Sequence, residues 1–328
     1  MRPAILVIVV LVLSFLFTGF ATRYARWRGL IDHPGERHSH SVATPRGGGI
    51  GLMLALVLAT ILFFPDVEGF WTDALLPGMA VLSLLGWWDD HRSLSARFRF
   101  LVQLAVSIAL LAYVVASGWS GHMIALVAAG LTLLWMTNLY NFMDGSNGMV
   151  GAQGVFASAM LCWLFYSSGL VELAAASAMV GAACLGFLPW NLGRAKVFMG
   201  DVGSVALGFC FGSLLIYGVV NGSFDLPVAL LIMVLFLIDA SLTLLKRVIR
   251  GEQWYNPHRQ HLYQQLIASG WTHGRVLFLY QAINLMLVVP GIIVAVRYPA
   301  LAWVVTLALV LAFGTGWYLM TRRFGVLA

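Results

Sequence analysis

Apolar runs of about 17–25 residues recur along this chain from end to end, each long enough to cross a hydrocarbon layer of about 30 Å as a helix. About eleven are read, at roughly 4–22, 48–64, 74–88, 100–117, 123–140, 150–168, 173–190, 203–220, 226–245, 276–296 and 300–320. Composition agrees, since only 10% of the residues are charged and a soluble domain carries about a quarter. The expectation is an all-α polytopic membrane protein, with residues 1–328 forming one integral-membrane domain and no long soluble domain. The first run is too long for a signal-peptide core, and its basic residues follow the run, so it reads as an uncleaved helix. Cys162, Cys184 and Cys210 all fall within these runs at no metal-ligand spacing, and read as packing residues.

Charge assigns the sides. With eleven spans the termini lie on opposite faces, and one set of loops comprises about 23–47, 89–99, 141–149, 191–202 and 246–275, plus the C-terminal tail. That set holds all of the 19 Lys and Arg except Arg2 and Arg297. By the positive-inside rule these loops are cytoplasmic, the N-terminus is periplasmic and the C-terminus cytoplasmic. The net charge of +6 is then a topology signal with some attraction to anionic lipid, and gives no support for nucleic-acid binding.

The unusual polar residues gather on the same side. The first loop carries TPRGGG, with Thr44 and Arg46; WWDDHRS puts Asp89 and Asp90 at a helix end. NLYNFMDGSNGMVG supplies Asn138, Asn141, Asp144 and Asn147, and NLGRAKVFMGDVGS supplies Asn191, Lys196, Phe198 and Asp201. The last loop contains HRQHLY, with Arg259 and His261. Neighbouring carboxylates at a helix end suit a hard divalent cation such as Mg²⁺, which takes one or two carboxylates and accepts phosphate oxygens as further ligands. The alternative is that Asp89 and Asp90 merely cap a span in water. The GGG stretch suits either close approach to an anion or close helix packing. DGSNG lacks the acidic alternation and closing Glu of an EF-hand. His33, His38 and His40 read as a solvated basic loop. Asn256 and Pro257 are expected to start a short helix that Gly270 ends. On such a helix Arg259 and His261 point apart, so both reach one ligand only if the helix starts late. Asp239 is the acidic residue inside a span; a functional acid and a partner for Lys246 or a backbone N–H are both open.

WWDD, NxxNFMDGxNG, VFMGDVGS and RQHLY, in that order and over nearly the whole chain, resemble the polyprenyl-phosphate N-acetylhexosamine-1-phosphate transferase superfamily, glycosyltransferase family 4. The resemblance implies a Mg²⁺-dependent enzyme, with Mn²⁺ as the alternative ion, in the bacterial inner membrane with its site facing the cytoplasm. Its substrates would be a UDP-N-acetylhexosamine and undecaprenyl phosphate, and its products the diphospho-sugar lipid and UMP. The product would initiate lipid-linked O-antigen or another surface glycan. It further implies metal binding by Asp201 with Asp89, and catalytic roles for Asp89, Asp90 and Asp201. Thr44, Arg46, Asn138, Asn141, Asp144, Asn147, Asn191 and Lys196 would surround the substrates, with Phe198 against the uracil and Arg259 and His261 at the diphosphate or sugar. It suggests a homodimer. Asn147 stands where many relatives carry a second Asp, so no carboxylate role transfers there. A triple-His motif is absent, which argues against a muramyl-pentapeptide donor. The rival from another class is a secondary transporter, which would place its charged groups near the midplane.

Overall fold

The computed structural model describes residues 3–33, 42–63, 69–253 and 258–324. Helix α1 (Pro3–Arg28) leads into a two-residue hairpin, β1 (Ile31–Asp32) antiparallel to β2 (Thr44–Pro45), and then α2 (Gly49–Phe63). Next come α3 (Leu76–His91), entered through a π-helical turn from Phe70, α4 (Ala96–Ala116), α5 (Met123–Phe142), α6 (Met149–Ser167), α7 (Val171–Asn191) and α8 (Asp201–Val220). The chain continues through α9 (Leu226–Ile232), α10 (Val234–Ile249), the short α11 (Leu262–Ala268), α12 (His273–Ile283), α13 (Val289–Arg297) and α14 (Ala302–Phe324). The protein is an all-α multi-pass membrane protein.

Each of the eleven apolar runs is helical, but they do not all qualify as spans. Among the described residues nine helices are long and apolar enough to cross a membrane, and the bent pair α9–α10 makes a tenth. The eleventh run is α2, whose 15 residues rise about 22 Å, short of the hydrocarbon thickness. Residues 226–245 read as one straight run, yet the chain turns by 80° between α9 and α10. No proline marks the turn. Instead Gln153 Nε2 donates to the carbonyl of Ile232 at 3.1 Å, and its Oε1 accepts from Asn284 Nδ2 at 2.8 Å. A tertiary contact thus satisfies a carbonyl that the break releases.

Helix α8 is the hub. In its apolar window 89% of the residues are buried, against 17% for the last span. Small residues let its neighbours approach closely. A Cβ on Gly86 of α3 would fall on the Asp201–Val202 backbone, one on Gly208 would meet α5 at Met136, and one on Gly203 would lie 2.9 Å from the Gly49 Cα. Ser83 Oγ also donates to the Val202 carbonyl at 2.7 Å. The start of α8 is therefore pressed against the ends of α2, α3 and α5.

Asp239 has a structural answer. It does not pair with Lys246; Oδ1 accepts from the Leu262 N–H at 2.7 Å and the Trp317 indole at 3.2 Å. Oδ2 accepts from the Tyr263 N–H at 3.3 Å and the Tyr280 hydroxyl at 2.8 Å. A buried carboxylate of α10 thus caps α11 from outside and ties in α12 and α14. Asp239→Ala would leave these donors unsatisfied, and a loss of about 3 kcal/mol is expected, read as a lowered Tm of the detergent-purified protein. The expected helix start at Asn256 and Pro257 lies outside the described residues; α11 itself begins at Leu262, with His261 as its N-cap, and Gly270, at φ 99°, follows its end.

Candidate active site

The five loops assigned to one side meet at one end of the bundle. The Gly48 and Gly49 N–H groups donate to the Phe198 and Met199 carbonyls at 2.9 Å each, and the Phe198 N–H donates to Pro45 at 2.8 Å. Two of the three glycines in TPRGGG thus spend their N–H groups on the neighbouring loop, and packing rather than anion contact explains them. Asn191 ties two further segments together: Oδ1 accepts from the Gly148 N–H at 2.6 Å and Nδ2 donates to the Val197 carbonyl at 2.9 Å.

These contacts enclose a polar cavity of about 200 Å³ whose walls include Asp32, Arg46, Asp90, Asn141, Asp144, Asn191, Phe198 and Asp201. Asp201, the first residue of α8, accepts from Asn141 Nδ2 at 2.8 Å and from Arg99 Nη1 at 3.2 Å. The same Arg99 nitrogen lies 2.8 Å from Asp89 Oδ2, while Asp89 Oδ1 accepts from the Leu94 N–H at 2.6 Å. Asp89 therefore faces Arg99 and a helix start, whereas Asp90 faces the cavity. Arg46 holds Asp90 from the first loop, donating to its carbonyl at 2.7 Å with Nε 3.7 Å from Oδ1. Asp90 is 5% exposed, and its Oδ2 has no hydrogen-bond partner among the described residues. A Cβ on Gly200, which sits at φ 75°, would lie 2.5 Å from that oxygen.

The donor set fits a hard cation. Asp90, Asp144 and Asp201 line one cavity, beside Arg46 and His273, and one carboxylate oxygen is left unpartnered. Burial raises the Asp144 carboxyl well above the usual range, and the charges of Asp201 and Asp90 raise it further; a divalent cation reverses that preference. Among the described residues no three acidic, His or Cys side chains close around a point.

A second space meets the first. An apolar groove of about 450 Å³ runs along α3, α4 and α5, lined by Phe100, Leu131, Leu134 and Trp135, and ends at Arg99, Gln103, Asn138, Asn141 and Asp201. Asn141 and Asp201 belong to both spaces. Beyond it the α4–α5 surface continues as an apolar trough of about 650 Å³ sharing Leu131 and Leu134.

Residues 73–219 match the sequence model described as glycosyl transferase family 4. The matched stretch runs from the turn entering α3 to the last turn of α8 and contains Asp89, Asp90, Asn141, Asp144 and Asp201. The chain is 28% identical to a probable undecaprenyl-phosphate N-acetylglucosaminyl 1-phosphate transferase of Bacillus subtilis, over 85% of its own length and 81% of the relative's. It is also 28% identical to the undecaprenyl-phosphate alpha-N-acetylglucosaminyl 1-phosphate transferase of Escherichia coli K12, covering 95% and 89% of the two chains. The decaprenyl-phosphate N-acetylglucosaminephosphotransferase of Mycobacterium leprae is 28% identical over 82% and 77%.

The site residues expected from the sequence divide between the two spaces and the surrounding scaffold. Arg46, Asp90, Asn141, Asp144, Asn147, Asn191, Phe198 and Asp201 line the polar cavity. Asn138 lines the apolar groove instead, donating to Gln103 Oε1 at 2.9 Å. Thr44 is buried in β2 and donates to the Val42 carbonyl at 2.9 Å, outside the cavity wall. Lys196 is exposed over the Trp190 ring at 5.3 Å. Arg259 and His261 precede α11 and lie off the cavity wall, His261 buried between Phe142 and Tyr263. Burial lowers the His261 imidazole, against an opposing pull from Asp239, and His258 is pushed down to about 3 by burial and by the charges of His261 and Arg247. Of His33, His38 and His40, the last two lie outside the described residues.

Sequence reading missed Arg99, Gln103, Asp32, Gln264 and His273. Arg99 in ARFRF looked like one more positive charge on the inner side, and Gln103 sits among apolar residues. The usable signal was their spacing: Arg99 and Gln103 are four apart, on one face of α4.

Proposed function

We propose that this protein transfers an N-acetylhexosamine 1-phosphate from a UDP-sugar to undecaprenyl phosphate at the cytoplasmic face of a bacterial inner membrane. The observation that carries the reading is the meeting of a polar carboxylate cavity with an apolar groove at Asp201 and Asn141. A water-soluble nucleotide and a lipid phosphate need such a junction. The polyprenyl names of the relatives support the acceptor class. The gathering of basic loops at this end supports a cytoplasmic site.

In this reading an oxygen of the lipid phosphate attacks the sugar-bearing phosphorus of the donor. A new P–O bond forms, the diphosphate bridge breaks, and UMP leaves with the bridging oxygen and its electron pair. Phosphoryl transfer asks mainly for positioning and charge neutralisation. Arg99 sits where the lipid phosphate arrives, and Asn141 and Ser204 orient Asp201, the Asn141 amide lying 3.0 Å from Ser204 Oγ. One or two carboxylates from among Asp90, Asp144 and Asp201 would hold Mg²⁺, which would supply neutralisation of the diphosphate charge. Displacement is direct, and isolation of a phosphorylated Asp89 or Asp201 would overturn that step. The secondary-transporter reading loses its one intramembrane candidate, because Asp239 is engaged by donors from α11, α12 and α14.

The test is purified protein with labelled UDP-sugars and undecaprenyl phosphate. Expected are UMP release and a lipid-linked sugar, both lost with EDTA and restored by Mg²⁺; substrate uptake into vesicles without UMP release would sink the proposal. A panel of UDP-N-acetylglucosamine, its galacto epimer and the 6-deoxy N-acetylhexosamines identifies the sugar. Arg99→Ala is expected to raise the KM for undecaprenyl phosphate about tenfold or more, by removal of a charge-assisted contact, and to change the KM for the UDP-sugar far less.

A further inference from the structure

The loop that closes the polar cavity is held from outside by the last cytoplasmic segment, and that clamp has a polar tip in the cavity wall. Tyr263 of α11 donates its hydroxyl to the Phe142 carbonyl at 2.9 Å. Leu277 of α12 packs against Gly148, whose added Cβ would lie 3.0 Å from it. Between them His273, the first residue of α12, lines the cavity beside Ser146 and Asn147. Its Nδ1 lies 3.0 Å from Ser146 Oγ and 3.3 Å from the Asn147 backbone nitrogen. A backbone N–H can only donate, so Nδ1 is the acceptor and the ring proton sits on Nε2.

We propose that His273 is a positioning residue for the nucleotide of the donor. Nδ1 fixes Ser146 and the Asn147 backbone at the end of the cavity that also carries Asn191 and Phe198. Asn191 accepts from the Gly148 N–H in the same loop, and the Asn147 side chain donates to the Gly193 carbonyl at 2.7 Å. The loop is thus pinned on one side by Asn191 and Gly193, and on the other by His273. Without the His273 acceptor, residues 146–147 keep only the inner pins, and the wall facing the nucleotide loses its set position. Asp144 lies two residues before Ser146, but its own supports differ, so the effect falls on donor binding and not on the acceptor groove. The inference rests on the reading that this cavity takes a uridine nucleotide.

The experiment separates the two. Full-length protein in detergent is titrated with UMP and Mg²⁺ by calorimetry, and donor and acceptor KM values are measured on the same preparations. His273→Leu is expected to weaken UMP binding and raise the donor KM about five- to tenfold, the worth of one or two hydrogen bonds, with kcat and the acceptor KM within about twofold. His273→Asn puts an amide oxygen near the place of Nδ1 and is expected to restore both to within about twofold, whereas His273→Gln, whose oxygen reaches further, is not. If wild-type protein binds no UMP, the donor-site reading itself fails. If wild type binds UMP and His273→Leu binds it equally, His273 has no positioning role. Equal damage to both KM values, or Asn and Gln variants that behave alike, would likewise overturn the proposal. Should the Leu variant fail to fold, the Asn and Gln pair decides alone.

Discussion

Asp201→Asn is expected to lower UMP release by about 10²–10³-fold, the range seen when one preorganised electrostatic group is removed from a transition-state site. The substitution keeps the shape and, through its one amide oxygen, the hydrogen bond to Asn141; it removes the charge and the contact with Arg99. That charge stands at the first residue of α8, where the helix N-terminus favours it. It is the acidic group common to the polar cavity and the apolar groove, and it shares Arg99 with Asp89. Asp89→Asn should cost less, since Asp89 faces Arg99 and the Leu94 N–H and not the cavity. The check is UMP release by both variants at saturating donor and acceptor, with thermal unfolding measured alongside. An Asp201→Asn enzyme within tenfold of wild type would remove Asp201 from the reaction centre.

Gly86→Ala is expected to lower activity by at least about tenfold without altering any polar group. Gly86 lies in α3, three residues before Asp89, and an added Cβ would fall on the Asp201 carbonyl carbon and the Val202 nitrogen. The obstruction is backbone, which cannot rotate away, so α3 and α8 must separate. Overpacking of this kind costs about 1–3 kcal/mol in stability. Its effect on chemistry is larger, because a displacement of about 1 Å between groups on two elements can cost about 10²-fold. Gly274→Ala, whose added Cβ meets nothing within 4 Å, serves as the neutral comparison. Loss of turnover in Gly86→Ala with donor binding largely retained is the expected pattern; unchanged turnover would mean that the α3–α8 spacing does not set the site.

The apolar runs could be read from the sequence because hydrocarbon thickness imposes a length on every span, and the charged loops because topology imposes a sign. Asp90, Asn141, Asp144 and Asp201 could be read because their types and order recur together. The features that escaped depend on partners distant in sequence. The bend after Ile232 is supported by Gln153, and the role of Asp239 depends on α11 starting at Leu262 rather than earlier. Arg99 looked like a topology charge until α4, packed against α3 and α5, brought it to Asp89 and Asp201. His273 drew no attention in the sequence, and its place at Ser146 depends on where α12 begins. The division of Asn138 from Asn141 is geometric as well: three residues apart on α5, one turns to Gln103 and the other to Asp201.

The two spaces that share Asp201 differ in their walls, one polar and one apolar, and this bears on how the proposed substrates take turns. In the proposed reaction the nucleotide would occupy the polar cavity and the lipid chain the apolar groove, so neither would fill the other's space. Either can arrive first. Initial-velocity plots against the two substrates should therefore intersect, not run parallel, and UMP should compete with the donor while leaving the acceptor's entry unobstructed. On the same proposal the lipid product would leave along the apolar groove and UMP through the polar cavity, so turnover would require neither product to wait for the other.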